Sequence, residues 1–461
     1  MAKSKASKGN TAQSRSQNVR RKVKHASLFE RRYPRGPYCL QYSENAWRSA
    51  YIERLDDKKI SHILAVNCKN IEDQILALRC FTIDPENFNK RKEFTRCLLD
   101  CLHKHHGVIY EGVIFGSSVN GMGFLDSDID LRLRPLEQIS EDELEPKTYD
   151  QDMVHWALRN IAFETDRCHP AVGKFVPSSR CPIAKLQFMS PKDLQGWKYD
   201  ISLVTSPLCC LNSYYLRFLC RLEPKFQCLA ITLRYWARVH DLVQSGYFSS
   251  YALINMLIFF CQNLNPPLLP TVDRMRDKYL ESNDLRMEKL ASSKSEGPSE
   301  QVTNALTQLE WQCLINLNED SYTRSKNSEP MCLLLLKFFH FYLNLSYSKN
   351  IINTRTGRLI SFGDFAKSEL YQKQFPLKSY LNIQDPFDLK HNLTSGMTGK
   401  HFMLIMLTMR YSYEKLANEI HRFKVPSDLK RGGRDHSHGS MFWGLNTILR
   451  PLTKEERSDF F

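Results

Sequence analysis

The sequence predicts an α+β fold in which a strand-rich first half precedes a mainly helical second half. Short apolar runs bounded by Gly, Pro, Ser or Asp predict the strands. Apolar residues that recur three and four positions apart predict the helices. Of the 461 residues, 42% are hydrophobic and 25% are charged, which fits a globular chain of two or three domains and excludes a fibrous or wholly disordered one.

The elements follow one another in a simple order. A short strand over residues 60–66 and helices over 71–80 and 91–104 come first. Four strands are predicted next, over residues 108–115, 129–133, 183–188 and 197–204. Four helices complete the pattern, over residues 213–222, 227–240, 250–264 and 331–345.

Composition divides the chain into four parts. Residues 1–55 form a basic arm that we expect to be largely disordered, 56–205 a mixed sheet with helices, 206–428 a helical region and 429–461 a basic tail. A charged, Ser-containing stretch over 274–301 predicts a mobile insertion in the helical region. The basic arm is compatible with nonspecific RNA binding, a mitochondrial presequence or a nuclear address, so mitochondrion and nucleus both stay open.

Charge points to a polyanionic partner. The chain has 64 Lys and Arg against 50 Asp and Glu, a net charge of +14. Nucleic acid is the leading candidate, since basic proteins gain affinity by neutralising phosphates. The longest apolar stretch, residues 251–261, is too short to cross a membrane. The 14 cysteines include no CxxC pair, which favours reduced thiols in an intracellular protein.

A Gly-Ser turn and two acidic residues carry the chemistry. Gly116 and Ser117 follow a predicted strand, where free backbone N–H groups and a hydroxyl can hold phosphate oxygens. Asp128 and Asp130 lie on the next predicted strand. Since alternate residues of a strand share a face, both carboxylates can reach the same pair of Mg²⁺ ions. Asp126 precedes them with similar spacing but lies in the turn, so we rank it below the pair.

A third carboxylate, Asp200, lies on another predicted strand and could complete a metal site. Three such groups suit attack of an RNA 3′ hydroxyl on the α-phosphate of a nucleoside triphosphate, with pyrophosphate leaving. The combination of turn, paired carboxylates and distal Asp is far more specific than Asp-x-Asp alone.

The stretch 115–120, with Asp128 and Asp130, resembles the signature of the nucleotidyltransferase superfamily. More narrowly, the chain is similar to the poly(A)-polymerase-like RNA terminal nucleotidyltransferases, a family that includes mitochondrial poly(A) polymerase and the spliceosomal small-RNA terminal uridylyltransferase. The resemblance extends from about residue 71 to about residue 416. It implies a nucleotidyltransferase palm, a mainly helical poly(A)-polymerase-associated domain, and an active site in the cleft between them. It also implies Mg²⁺ or Mn²⁺, held by Asp128, Asp130 and Asp200.

The same resemblance assigns nucleotide contacts. Ser117 falls where the family holds a triphosphate oxygen, and Asn212 where it reads the ribose. Arg234 and Arg238 match two cations that contact the triphosphate. Ser250 and Tyr251 match the pair that binds triphosphate and stacks the base.

Residues 383–392 resemble the family segment that reads the base edge. His391 stands where uridylyl-adding relatives have a His, so it favours UTP, whereas the mitochondrial adenylyl-adding relative has an apolar residue there. Asp385 and Asp388 would contact the base edge or orient the His.

These observations predict an enzyme that adds UMP or AMP to RNA 3′ ends without a template, as a terminal uridylyltransferase or as a mitochondrial-type poly(A) polymerase. A catalytically silent RNA-binding scaffold and a transferase acting on protein or small molecules are the alternatives. A homodimer is possible by family resemblance only. The first 55 residues leave little room for the RNA-recognition-like module of both relatives, and the uridylyltransferase's zinc finger is absent from the sequence, so features that depend on those modules do not carry over.

Overall fold

The computed structural model describes residues 55–106, 109–135, 151–164, 171–177, 182–189, 195–203, 208–244, 246–282, 322–367, 375–424 and 443–451. These residues form mixed sheets and helices, so the predicted α+β class is confirmed. Two compact units are present. The first contains residues 90–113 and 131–205, and the second contains 52–89, 114–130 and 206–461. The domain ranges inferred from the sequence stay a prediction.

A five-stranded sheet dominates the first unit. Its strands are β1 (Tyr110–Phe115), β2 (Ile129–Pro135), β3 (Ala171–Val176), β4 (Ile183–Met189) and β5 (Gln195–Leu203). Their order across the sheet is β1-β2-β5-β4-β3, and β4 pairs antiparallel with both β3 and β5. The apolar residues of β2 and β5 occupy alternate positions and are buried, so the polar residues of each strand lie on the opposite face.

Helices α1 (Asp57–Asn67), α2 (Ile71–Ala77), α3 (Pro85–His106) and α4 (Gln151–Glu164) occur in the first part of the chain. Helices α5 (Leu208–Leu222), α6 (Pro224–Val239) and α7 (Ser250–Gln262) follow. All of α7 from Ala252 to Cys261 is buried, and the Trp236 side chain of α6 is fully buried. This apolar packing fixes α5, α6 and α7 as the rigid support of the site described below.

The remainder of the second unit adds helices and a small sheet. Helices α8 (Val272–Ser282), α9 (Met331–Leu343), α10 (Phe362–Ala366) and α11 (Gly399–Lys424) are joined by strands β6 (Asn350–Asn353), β7 (Arg358–Ser361) and β8 (Ile383–Gln384). The sheet order is β7-β6-β8. Strand β8 leads directly into residues 385–391, which we call the recognition turn.

Two sequence expectations are wrong. Residues 60–66, predicted as a strand, lie in helix α1, because Asp56 caps its first turn and Ile60 and Leu64 bury one helical face. Residues 274–282 of the predicted mobile insertion belong to α8, where Met275 is buried and Arg276 pairs with Asp273. The other 19 residues of that insertion, 283–301, lie outside the described residues, as do the predicted basic arm up to residue 54 and most of the tail.

Within the described residues, no helix is both long enough and apolar enough to span a bilayer.

Candidate active site

Gly116 begins the Gly-Ser loop, residues 116–127, directly after β1. Its φ of +64° lies in the left-handed region, which glycine adopts without steric cost. A Cβ at this position would lie 2.0 Å from Oδ2 of Asp130, closer than real Cβ atoms approach an oxygen. The bare Cα of Gly116 therefore lets the Asp130 carboxylate lie against the start of the loop.

Helix α5 holds the same glycine. The backbone N–H of Gly116 donates a 2.7 Å hydrogen bond to Oγ of Ser213, a buried residue of α5. The backbone also packs closely within the loop. A Cβ at Gly123 would lie 2.2 Å from the carbonyl oxygen of Ser117. The loop thus has little freedom to change its path.

Helix α6 fixes the middle of the loop through two side chains. Gln227 donates a 2.7 Å hydrogen bond from Nε2 to the Gly121 carbonyl, and Arg234 donates to the Met122 carbonyl. Burial lowers the pKa of Arg234 to about 10, while the Asp130 carboxylate acts in the opposite direction. Arg234 therefore stays cationic at neutral pH and lies within electrostatic reach of Asp130.

Arg238 lies one turn beyond Arg234 and forms a bidentate ion pair. Its two terminal nitrogens donate to the two carboxylate oxygens of Asp126, each at 2.8 Å. The hydrogen bond with Asp126 is the main reason that the pKa of Arg238 is raised. Both arms of the guanidinium thus bind the last turn of the Gly-Ser loop, and a triphosphate would have to compete for them.

Two of the three predicted carboxylates, Asp130 and Asp200, occupy equivalent positions on their strands. Ile129 and Leu131 of β2 are fully buried, and so are Tyr199 and Ile201 of β5. Asp130 and Asp200 therefore lie opposite the buried face of their own strands, and these strands are neighbours in the sheet. Asp128 immediately precedes β2.

Asp200 has a cationic partner on the adjacent strand. Lys185 of β4 lies directly opposite Asp200 in the antiparallel register. Its Nζ lies 2.9 Å from Oδ1 and 2.7 Å from Oδ2, so both carboxylate oxygens accept from one ammonium group.

The donor chemistry of Asp128, Asp130 and Asp200 fits magnesium, which prefers carboxylate oxygens. Among the described residues, no three His, Cys, Asp or Glu side chains are gathered closely enough to hold a metal ion. The meeting of all three carboxylates therefore stays a prediction. The structure brings Asp130 against Gly116 and Asp200 against Lys185.

The recognition turn closes on itself. The Asp385 N–H donates to the His391 carbonyl at 3.0 Å, and the His391 N–H donates to the Asp388 carbonyl at 2.8 Å. Oδ1 of Asp385 accepts from the backbone N–H groups of Phe387 and Asp388, at 2.9 and 3.1 Å. Its other oxygen, Oδ2, lies 3.7 Å from Nδ1 of His391. Asp385 is buried and His391 is partly exposed, and their side chains are too far apart for a hydrogen bond.

Two side chains outside the recognition turn hold it by hydrogen bonds to its carbonyl groups. Arg355 donates to the Pro386 carbonyl at 3.1 Å and to Asp273 at 2.9 Å. Gln384 donates to the Leu389 carbonyl at 2.7 Å. The path of the turn is therefore set by the surrounding fold and not by the His391 side chain.

The other predicted contacts lie on α5 and α7. Asn212 lies on α5, and its buried Oδ1 has no hydrogen-bond partner among the described residues. Ser250 and Tyr251 begin α7, whose first turn is capped by Ser249. Burial, and after it the Asp385 carboxylate, raises the pKa of Tyr251, so Tyr251 lies near the recognition turn.

Sequence reasoning missed Ser213, Lys185 and the role of Asp126. Ser213 follows Asn212 and carries no signal of its own. Lys185 is 15 residues from Asp200, and only the β4–β5 register brings the two together. Asp126 offered a signal, since it lies just before Asp128, but its partner is an arginine 112 residues away.

Two family models match the chain. One describes the central palm domain of mitochondrial-like poly(A) RNA polymerases and covers residues 71–219. The other describes the Cid1 family of poly(A) polymerases and covers residues 330–391, which include β6, β7 and the recognition turn.

Curated relatives match over much of this chain but over less of their own length. The speckle targeted PIP5K1A-regulated poly(A) polymerase of Danio rerio is 26% identical over 63% of this chain and 39% of its own. The mouse protein of that name is 30% identical over 57% of this chain and 27% of its own. The human mitochondrial poly(A) RNA polymerase is 24% identical over 75% of this chain and 53% of its own.

Solved structures share the fold. The structure of mtPAP with ATPγS has a TM-score of 0.64 at 21% identity, and the match covers 87% of this chain and 76% of that one. The Cid1 poly(U) polymerase bound to MgGTP has a TM-score of 0.55 at 17% identity, over 82% of this chain and 97% of that one. Residues 71–219 and 330–391 thus match models of poly(A) RNA polymerase families, and the curated relatives that this chain resembles are poly(A) polymerases, which are RNA nucleotidyltransferases.

Proposed function

We propose that this chain adds UMP or AMP to the 3′ ends of RNA without a template, and that His391 makes UTP the preferred donor. One observation carries the proposal: the Asp130 carboxylate lies against the bare Cα of Gly116, in a loop tied to two helices. A loop that only connected two strands would not require a glycine with a carboxylate at this distance.

The loop and α6 would bind the triphosphate. Ser117 supplies a hydroxyl and the loop supplies backbone N–H groups, and both suit phosphate oxygens. Arg234 adds a partly buried positive charge near Asp130. Arg238 adds a planar fork that can move from the Asp126 carboxylate to a phosphate, because the two acceptors have similar geometry.

Asp128, Asp130 and Asp200 would hold magnesium or manganese. When bound, two such ions neutralise charge on the attacking and leaving oxygens of a phosphoryl transfer. Gly116 sets where Asp130 lies, and a metal ion would have to compete with the Lys185 ammonium for the two oxygens of Asp200.

His391 would choose the base. Its side chain is partly exposed, and Asp385 lies 3.7 Å from its Nδ1, beyond hydrogen-bond distance, so a ring nitrogen is left for a pyrimidine edge. The names of the relatives favour the alternative donor, because the curated ones are poly(A) polymerases. We therefore keep ATP as the second candidate donor. The names of the relatives also fit either a mitochondrial or a nuclear location.

The test is extension of a labelled RNA oligomer with each of the four nucleoside triphosphates offered separately, with and without Mg²⁺. We expect Mg²⁺-dependent growth, fastest with UTP. Asp128→Asn and Asp130→Asn should each abolish extension and leave the unfolding transition intact. Asp364→Asn, a change at an exposed acidic residue of α10, is the matched control and should extend RNA normally.

Full extension by the two variants at Asp128 and Asp130 would refute the proposal. Binding of RNA without extension under any condition would favour the silent scaffold instead.

A further inference from the structure

Tyr215 is a buried tyrosine with an unused hydroxyl. It lies on α5 and is fully buried. Among the described residues, no atom forms a hydrogen bond with its OH group. Burial raises the pKa of Tyr215, so the group is neutral and can act as donor or acceptor. Buried tyrosine hydroxyls usually have a partner, so this one needs an explanation.

The surroundings of Tyr215 are those of the proposed nucleotide site. Its ring packs edge-to-face on Phe387 of the recognition turn, with centroids 5.3 Å apart and an interplanar angle of 84°. Its hydroxyl lies close enough to Tyr251 to contribute to the raised pKa of that residue, after burial and Asp385.

Asn212 lies one helical turn before Tyr215 on α5. Residues three apart share a helix face, and the Oδ1 atom of Asn212 is also buried without a partner among the described residues. Two buried polar atoms one helical turn apart on α5 thus have no hydrogen-bond partner among the described residues. For packing against Phe387 alone, phenylalanine would serve as well and would bury no hydroxyl.

We propose that the Tyr215 hydroxyl forms a hydrogen bond with the nucleoside of the bound triphosphate, beside Asn212 and Tyr251. The inference rests on the proposed function, because it takes a nucleoside triphosphate as the ligand. The hydrogen-bond chemistry suits a ribose hydroxyl or a base edge, and a 2′-deoxynucleotide tests the 2′ hydroxyl among them.

The experiment compares binding of UTP, ATP, 2′-deoxyuridine triphosphate and inorganic triphosphate to the wild type and to Tyr215→Phe. The variant keeps the ring on Phe387 and loses only the hydroxyl. We expect about a fivefold loss of UTP or ATP affinity, the size of one neutral hydrogen bond, with unchanged binding of inorganic triphosphate. A smaller loss for the deoxynucleotide assigns the contact to the ribose 2′ hydroxyl, and an equal loss assigns it to the base or to the 3′ hydroxyl.

Tyr342→Phe is the matched control. Tyr342 is equally buried, but its hydroxyl donates to the Met256 carbonyl at 2.6 Å. This control should lower the melting temperature and leave nucleotide affinity unchanged, whereas Tyr215→Phe should leave the melting temperature unchanged or raised.

Unchanged UTP and ATP affinity in Tyr215→Phe would overturn the inference. So would a parallel loss of inorganic triphosphate binding, which would indicate a general loosening of the site. If the wild type binds no nucleoside triphosphate at all, the proposed function fails instead.

Discussion

Gly116→Ala tests the geometry that links the Gly-Ser loop to Asp130. The substitution imposes two separate costs. An alanine with φ near +64° is strained by about 1–2 kcal/mol, since its Cβ approaches the following carbonyl oxygen. In addition, the new Cβ would lie 2.0 Å from Oδ2 of Asp130, so the carboxylate must move by about 1 Å to reach the shortest distance that real contacts show.

The two costs affect different measurements. Backbone strain lowers the free energy of unfolding by about 1–2 kcal/mol. Displacement of a reacting group by about 1 Å lowers the rate, by about a hundredfold on general grounds. We therefore expect Gly116→Ala to fold with modestly reduced stability and to extend RNA about a hundredfold more slowly.

Gly246→Ala is the control that separates the costs. Gly246 has a similar φ of +83°, but a Cβ there meets nothing within 4 Å. Urea unfolding should show comparable losses of stability for both variants, while RNA extension at saturating Mg²⁺ and nucleotide should fall only for Gly116→Ala. Extension by Gly116→Ala at a rate within threefold of Gly246→Ala would refute the argument that Gly116 positions Asp130.

Three further substitutions test other contacts. Lys185→Met should lower the Mg²⁺ concentration needed for half-maximal activity about two- to fivefold, because the half-exposed ammonium competes for Asp200. A higher Mg²⁺ requirement, or weaker Mn²⁺ binding measured by electron paramagnetic resonance, would contradict this. Asp126→Asn should release Arg238 and lower the KM for the nucleotide a few-fold. An unchanged KM together with a lower free energy of unfolding would mean that Arg238 only anchors the loop. His391→Leu should shift the ratio of kcat/KM for UTP to that for ATP about tenfold towards ATP, and a constant ratio would remove His391 from base selection.

Local patterns in the sequence predicted the strands that carry the acidic residues. Residues 129–133 and 197–204 alternate between apolar and polar side chains, and the structure has β2 and β5 there, each within two residues of the predicted ends. Asp128 and Asp130 could be identified because the alternation of apolar and polar residues along a strand depends only on residues close together in the sequence. The same reasoning failed at residues 60–66, where a short apolar run fits strand and helix alike and the capping role of Asp56 decides for the helix.

Contacts between distant residues could not be predicted from the sequence. The pairing of Lys185 with Asp200 depends on the register of β4 and β5, and that of Arg238 with Asp126 depends on how α6 packs beside the loop. Strand β3 and helices α4 and α11 were not predicted from the sequence either. The family resemblance supplied Asn212, Tyr251 and His391, but Tyr215 became visible only through its burial.

The closed main chain of the recognition turn has an evolutionary consequence. Its path is held by Asp385, Arg355 and Gln384, and none of these contacts uses the imidazole of His391 to keep the backbone in place. A single codon change can therefore replace His391 by another residue without changing the path of the backbone around it. On the proposed role of His391, donor choice can diverge between lineages by such steps, without any change in the surrounding scaffold.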